Sequence, residues 1–147
     1  MILDSLLQVS VAQAVTTAAY STFSVDLDSP TVKRQVGTGQ RLSAIVVVTT
    51  AAAGDSASFT DTFDFLLVQS ASADLSSHDT LLTVRPAAAA LVAGYMFEVP
   101  VPFGKPTKQY LGLRYAPGTG DTITVSAWFV RTDMVPAWLA YAKGYAI

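Results

Sequence analysis

The sequence predicts an all-β fold: a jelly roll or β-sandwich of seven to eight antiparallel strands in one domain spanning 1–147, with an N-terminal arm at 1–19 and a C-terminal arm at 134–147. Three observations predict it. Apolar and polar residues alternate with period two through most of the chain, as they do along half-buried strands. The alternating segments are short and separated by Gly, Pro, Ser and Asp clusters. No stretch carries a long apolar pattern of helical period, which leaves strands to build the core.

Taken in order, Met1–Ala19 is apolar without a clean period and reads as an arm. Phe23, Val25 and Leu27 alternate with Ser24, Asp26 and Asp28, placing the first three on a buried strand face. Thr31–Val36 is an eighth strand candidate, followed by a turn at Gly37-Thr38-Gly39. Leu42–Thr50 (LSAIVVVTT) is β-branched and apolar on both faces, as a central strand requires. Phe63–Ser70 presents Phe63, Phe65 and Leu67 on one face, and Leu81–Arg85 is a further strand. Ala51–Asp61 and Ala71–Asp79 are small and polar and read as exposed loops. Pro86–Ala93, closed by Gly94, has room for a turn or two of helix. Tyr95–Phe103 has large apolar residues at its odd positions, but Pro100 and Pro102 confine it to a sheet edge or end it near Pro100. Tyr110–Ala116 and Thr122–Phe129 are the last strands, with Pro117–Gly120 expected to join them as a hairpin. In Met134–Ile147, Trp138, Tyr141 and Tyr145 recur at helical spacing.

Composition limits the function. The chain is 51% hydrophobic and 14% charged, against roughly 25% charged in ordinary domains. A surface this poor in charge is expected to be covered in part by other subunits or a shell. Net charge is −2 and the only adjacent basic pair is Lys33-Arg34, so no electrostatic footprint for nucleic acid is expected. No apolar run approaches the ~20 residues of a membrane span, and MILDSLLQVSVAQAV lacks a basic signal region. With no cysteine, a disulfide framework and thiolate chemistry are excluded; with no asparagine, so is N-glycosylation.

The residues that carry chemistry are isolated. His78 is the single histidine, in a Ser/Asp loop beside Ser76, Ser77 and Asp79, and reads as a solvated residue rather than part of a triad. Asp55, Asp61 and Asp64 lack the loop pattern of a calcium site. Glu98, the single glutamate, should face outward from its strand without a catalytic partner. No catalytic, metal or cofactor-binding residue is therefore expected, and no cofactor. Aromatics are the preferred anchors of protein interfaces, so Trp138, Tyr141 and Tyr145 either pack on the domain's own core or meet a partner.

Several pieces, in order, resemble the capsid cement (decoration) proteins of short-tailed phages of the Bordetella-phage type: MILDSLLQVSVAQAVTTAA, FLLVQSASADLSSHDTLLTV, PAAAALVAGYMFEVPVPFG, KQYLGLRYAPGTGDTITVSAWFV and the ending YAKGYAI. The resemblance implies a jelly roll, self-association as a homodimer or homotrimer, and attachment to the outside of the major capsid protein shell. It also implies a virion protein made in the host bacterial cytoplasm and residing on the outer capsid surface. On this reading the two arms make the contacts with sister subunits or shell, through Leu3, Leu6, Leu7, Trp138, Tyr141 and Tyr145, and deleting Val135–Ile147 reduces particle binding or oligomerisation. The rival readings are a carbohydrate-binding β-sandwich or adhesion head using Trp128 or Trp138, and a small jelly-roll enzyme, which the missing ligands disfavour.

Overall fold

A computed structural model of the chain describes residues 7–27, 41–54, 63–102 and 107–136. The strand candidate Thr31–Val36, the turn at Gly37–Gly39, Lys33-Arg34, Asp55 and Asp61 lie outside the described residues. The described strands are β1 (Gln8–Val15), β2 (Ala19–Tyr20), β3 (Val25–Asp26), β4 (Leu42–Ala53), β5 (Phe63–Ser70), β6 (Asp79–Val84), β7 (Met96–Pro100), β8 (Tyr110–Pro117) and β9 (Thr122–Arg131).

They form two antiparallel sheets. One has the order β1-β9-β4-β7, the other β2-β8-β5-β6, with β3 also pairing β8. Because β2 and β3 meet β8 at Arg114–Tyr115 and Tyr110–Leu111 respectively, they act as one interrupted edge strand. Counted so, the pairs β1/β9, β2–β3/β8, β4/β7 and β5/β6 nest inside one another like a long hairpin rolled up. That is the jelly-roll winding, and it confirms the predicted fold class.

Period two builds the core. Ala44, Val46 and Val48 of β4 and Val125, Ala127 and Phe129 of β9 point inward from one sheet, meeting Phe65, Leu67, Leu111, Leu113 and Tyr115 from the other. Phe65 is the hub, edge-on to Phe97 at 4.8 Å and to Tyr115 at 5.9 Å. β4 lies between β9 and β7 as expected of a strand apolar on both faces. β7 is an edge strand and also stops at Pro100, which has no N–H to donate, with one further backbone bond from Val101 N to Leu42 O (3.1 Å) beyond it. Pro86–Gly94 yields one 3₁₀ turn, Ala88–Ala90, and Gly94 closes it at φ +87 with its N–H on Val48 O.

Four expectations are corrected. Gln8–Val15, expected in an arm, is a full edge strand; its period is hidden because the register with β9 shifts between Gln8 and Ser10 and again before Gln13, around Ala12 at φ +41. Pro117–Gly120 does not make a hairpin: β8 and β9 belong to different sheets. Turn residues reverse the chain, but the apolar faces choose the partner. Phe23, expected to be buried beside Val25, is 56% exposed, because β3 is only Val25–Asp26.

The loop 71–78 is the fourth correction. Its residues Ala71–Asp74, Ser76 and Ser77 are exposed as expected, but the loop is docked through one side chain. Leu75, at φ +61, is fully buried but outside the inter-sheet core. It seats on the outer face of the β2–β8–β5–β6 sheet over Gly112, where a Cβ would collide with its methyls. Ser70 Oγ donates to Ser76 O (2.6 Å), and Ser24 Oγ donates to Ala73 O (2.8 Å), tying the loop down at both sides.

Candidate interface at the N-terminal corner

Where β1 turns into β2, the two segments are stitched by one side chain. Gln13 Oε1 accepts from Ser10 Oγ (2.8 Å), Thr22 N (3.1 Å) and Thr22 Oγ1 (3.1 Å), and Gln13 Nε2 donates to Tyr20 O (2.7 Å). Ser10 Oγ also meets the Tyr115 hydroxyl at 2.7 Å, joining this corner to the core. Burial pushes the Tyr115 phenol well above its ordinary pKa, an effect its Ser10 bond only partly offsets.

The stitching fixes an apolar outcrop. Phe23 N donates to Val9 O (2.9 Å) and Phe23 O accepts from Ser21 Oγ (2.8 Å), so the backbone is held on both sides. The ring nevertheless faces solvent, and Val11, two residues along β1 from Val9, is 58% exposed. A large aromatic on a pinned backbone costs little ordering entropy when a partner covers it. Such residues are the usual anchors of interfaces.

The other expected site residues fall out as follows. Leu3, Leu6, Trp138, Tyr141 and Tyr145 lie outside the described residues. Leu7 is half-buried and packs on the chain's own core. His78 is not a solvated residue: its Nδ1 is 2.6 Å from the Tyr20 hydroxyl and the rings meet edge-on at 5.2 Å. The neighbouring groups turn elsewhere. Ser76 Oγ donates to Asp74 Oδ1 (2.7 Å), which lowers the Asp74 pKa, and Asp79 pairs with Lys108 (2.7 Å), which lowers its own. Asp64 is bound through both oxygens by Arg85, at 2.5 and 2.9 Å, and that hydrogen bonding holds its carboxyl below the usual range against a small desolvation penalty. Glu98 is half-buried on the outward side of β7, accepting from Ser43 Oγ at 2.6 Å. Among the described residues, no cluster of three His, Asp or Glu side chains suited to a metal ion occurs, and no helix is long and apolar enough to cross a membrane.

The outcrop at Val11 and Phe23 escaped sequence reasoning. Its signal was present, an apolar residue in a segment without clean period, but the bulges of β1 and the brevity of β3 decide which side chains turn out.

The fold defines the class: an all-β jelly-roll protein of two packed antiparallel sheets. Within it, the chain belongs to the Bbp16 family, whose model matches residues 9–128. The family name points to a protein of a Bordetella phage. The match runs from β1 into β9, so it takes in both sheets and the Val11–Phe23 corner, and stops short of the ending YAKGYAI. A comparison with curated proteins gave no match.

Proposed function

We propose that this protein is a capsid cement (decoration) protein, which binds the outer surface of the major capsid protein shell and stabilises the phage head without catalysing a reaction. Membership of the Bbp16 family across both sheets carries this reading. The low charge of the chain and the pinned apolar corner support it.

The mechanism is mechanical. Packaged DNA stresses a filled shell outward, and a clamp across neighbouring capsomers adds interface that must break before they part. Apolar burial contributes about 25 cal/mol per Å² before association costs. Repeated sites, together with self-association as a dimer or trimer, turn modest affinity per site into durable attachment. Phe23 and Val11, with Leu3 and Leu6 from the preceding segment, are the anchors on this reading.

The test is co-sedimentation of the full chain with intact particles lacking it. Wild type pellets with the shell, while Phe23→Ser and Val11→Ser keep their melting temperature and pellet less. Wild-type protein that stays in the supernatant at every concentration sinks the cement reading, and binding to a glycan array would favour an adhesion head instead. Undiminished pelleting of both variants moves the interface away from this corner.

A further inference from the structure

Along β8, Leu113 and Tyr115 point into the core, so Arg114 between them points out from the β2-β8-β5-β6 sheet. Tyr20, Arg114, Leu66 and Thr83 form one cross-strand row on that outer face. On one side of the row the loop 71–78 seats Leu75 over Gly112. On the other, Asp64, opposite Ala116, is bound by Arg85. The Arg114 row lies between them.

Arg114 is held but not paired. Its guanidinium carbon lies over the Tyr20 ring, 5.9 Å from the centroid, a cation–π contact. Tyr20 is fixed in turn: its hydroxyl is 2.6 Å from His78 Nδ1, the two rings meet edge-on, and its carbonyl accepts from Gln13 Nε2. One side chain each from β8, β2 and the loop therefore makes the cluster, and all three are half-buried. The neighbouring carboxylates are engaged elsewhere, Asp64 through both oxygens with Arg85 and Asp79 with Lys108. Among the described residues the Arg114 guanidinium meets no carboxylate and donates no hydrogen bond. A guanidinium is a planar fork of N–H donors whose best-matched partner is a carboxylate. The ring contact draws on its charge and gives those donors no oxygen. Because Tyr20 already restricts the side chain, capture of a carboxylate costs little further ordering.

The cluster is continuous with the Val11–Phe23 corner. Gln13, which clasps Tyr20 O, also accepts from Thr22 N, and Ser24 Oγ ties down the loop that carries His78 through Ala73 O. Tyr20 and Phe23 thus stand on one pinned segment. We propose that Arg114 receives an Asp or Glu side chain of the shell protein, beside the apolar contact made by Val11 and Phe23. This inference rests on the cement reading and names the chemistry of the partner: an apolar patch with a carboxylate next to it. The apolar contact supplies the affinity, and the planar pair fixes the orientation.

The test is the concentration of chain that half-saturates particles lacking it, measured by co-sedimentation. Arg114→Gln should raise that concentration about tenfold, the size of a lost charge-assisted hydrogen bond. It should also flatten the dependence on NaCl between about 50 and 500 mM, whereas Phe23→Ser weakens binding with the salt dependence kept. The melting temperature of Arg114→Gln should fall by no more than about 2–4 °C, since only a surface cation–π contact is lost. A second measurement needs no variant: phenylglyoxal should modify Arg114 in the free wild-type chain and spare it in the particle-bound chain, as read by mass spectrometry. Wild type that never pellets removes the cement reading and this inference with it. Wild type that pellets while Arg114→Gln matches it in affinity and salt dependence overturns this inference alone, as does equal modification of Arg114 in free and bound chain. A changed oligomeric state of Arg114→Gln with shell binding intact overturns it in favour of a second copy.

Discussion

Leu75→Ala tests whether the 71–78 loop is a structural layer or a solvent-exposed connection. The side chain is fully buried over Gly112. Removing three carbons forfeits about 2.4 kcal/mol at ~0.8 kcal/mol per methylene. A cavity adds to this, but a loop can settle into the space, so the cost should stay near the lower end of the known range, about 2.5–3 kcal/mol. For a chain of this size each kcal/mol moves the melting temperature by about 2–4 °C, giving a drop of about 5–12 °C. Gly112→Ala perturbs the same contact from below. Its new Cβ would overlap a Leu75 methyl and lie 3.1 Å from Ser21 Oγ, and overpacking of this kind costs about 1–3 kcal/mol. Combined with Leu75→Ala, the overlap disappears and the strand gains the ~0.4–1 kcal/mol expected of a compatible Gly→Ala change. The second substitution should therefore destabilise the wild type and stabilise the Leu75→Ala protein. Thermal unfolding of the four proteins at one fixed concentration reads this cycle. Additive effects, or a Leu75→Ala shift below about 1 °C, would refute the docked loop.

Three further outcomes are expected. Tyr115 has a raised pKa through burial, so it should stay protonated in an alkaline spectrophotometric titration until the protein unfolds; the unfolded state then releases its proton first, and stability falls as pH rises past about 10. A Tyr115 that ionises near the ordinary phenol value of about 10 would contradict the packing. Asp64 has a lowered pKa, so its pairing with Arg85 stabilises above the usual carboxylate range and is lost as pH falls through the lowered value. Asp64→Asn should thus lower the melting temperature slightly at neutral pH and not at all near about pH 2, the small size following from the exposure of Arg85. Gln13→Ala leaves Thr22 N and Tyr20 O to water in place of their side-chain partner; the cost should be about 0.5–1.5 kcal/mol, and hydrogen exchange at the Thr22 amide should quicken, whereas unchanged exchange would remove Gln13 as the corner's clasp.

Much of the fold was legible from the sequence, because a strand with one wet face writes its geometry as period two. Phe63–Ser70, Tyr110–Ala116 and Thr122–Phe129 were readable for that reason, and Leu42–Thr50 was readable as central because both its faces are apolar. The exposed corner was not legible. Phe23 continues the alternation of Val25 and Leu27, yet the strand stops short of it, and β1 loses its parity at each bulge. Nor was the role of ASADLSSHD, since one leucine in a polar loop carries no period.

By itself, then, the sequence determined the class, an all-β sandwich or jelly roll, and the inward residues of most strands. Those depend on local alternation, which is written in neighbouring residues. Only the tertiary structure decided that β8 and β9 part into different sheets, that Leu75 seats over the side-chain-free Gly112, and that Val11 and Phe23 turn outward. Each depends on contacts between residues far apart in the chain, where a missing Cβ or a shifted register decides which side chain finds room.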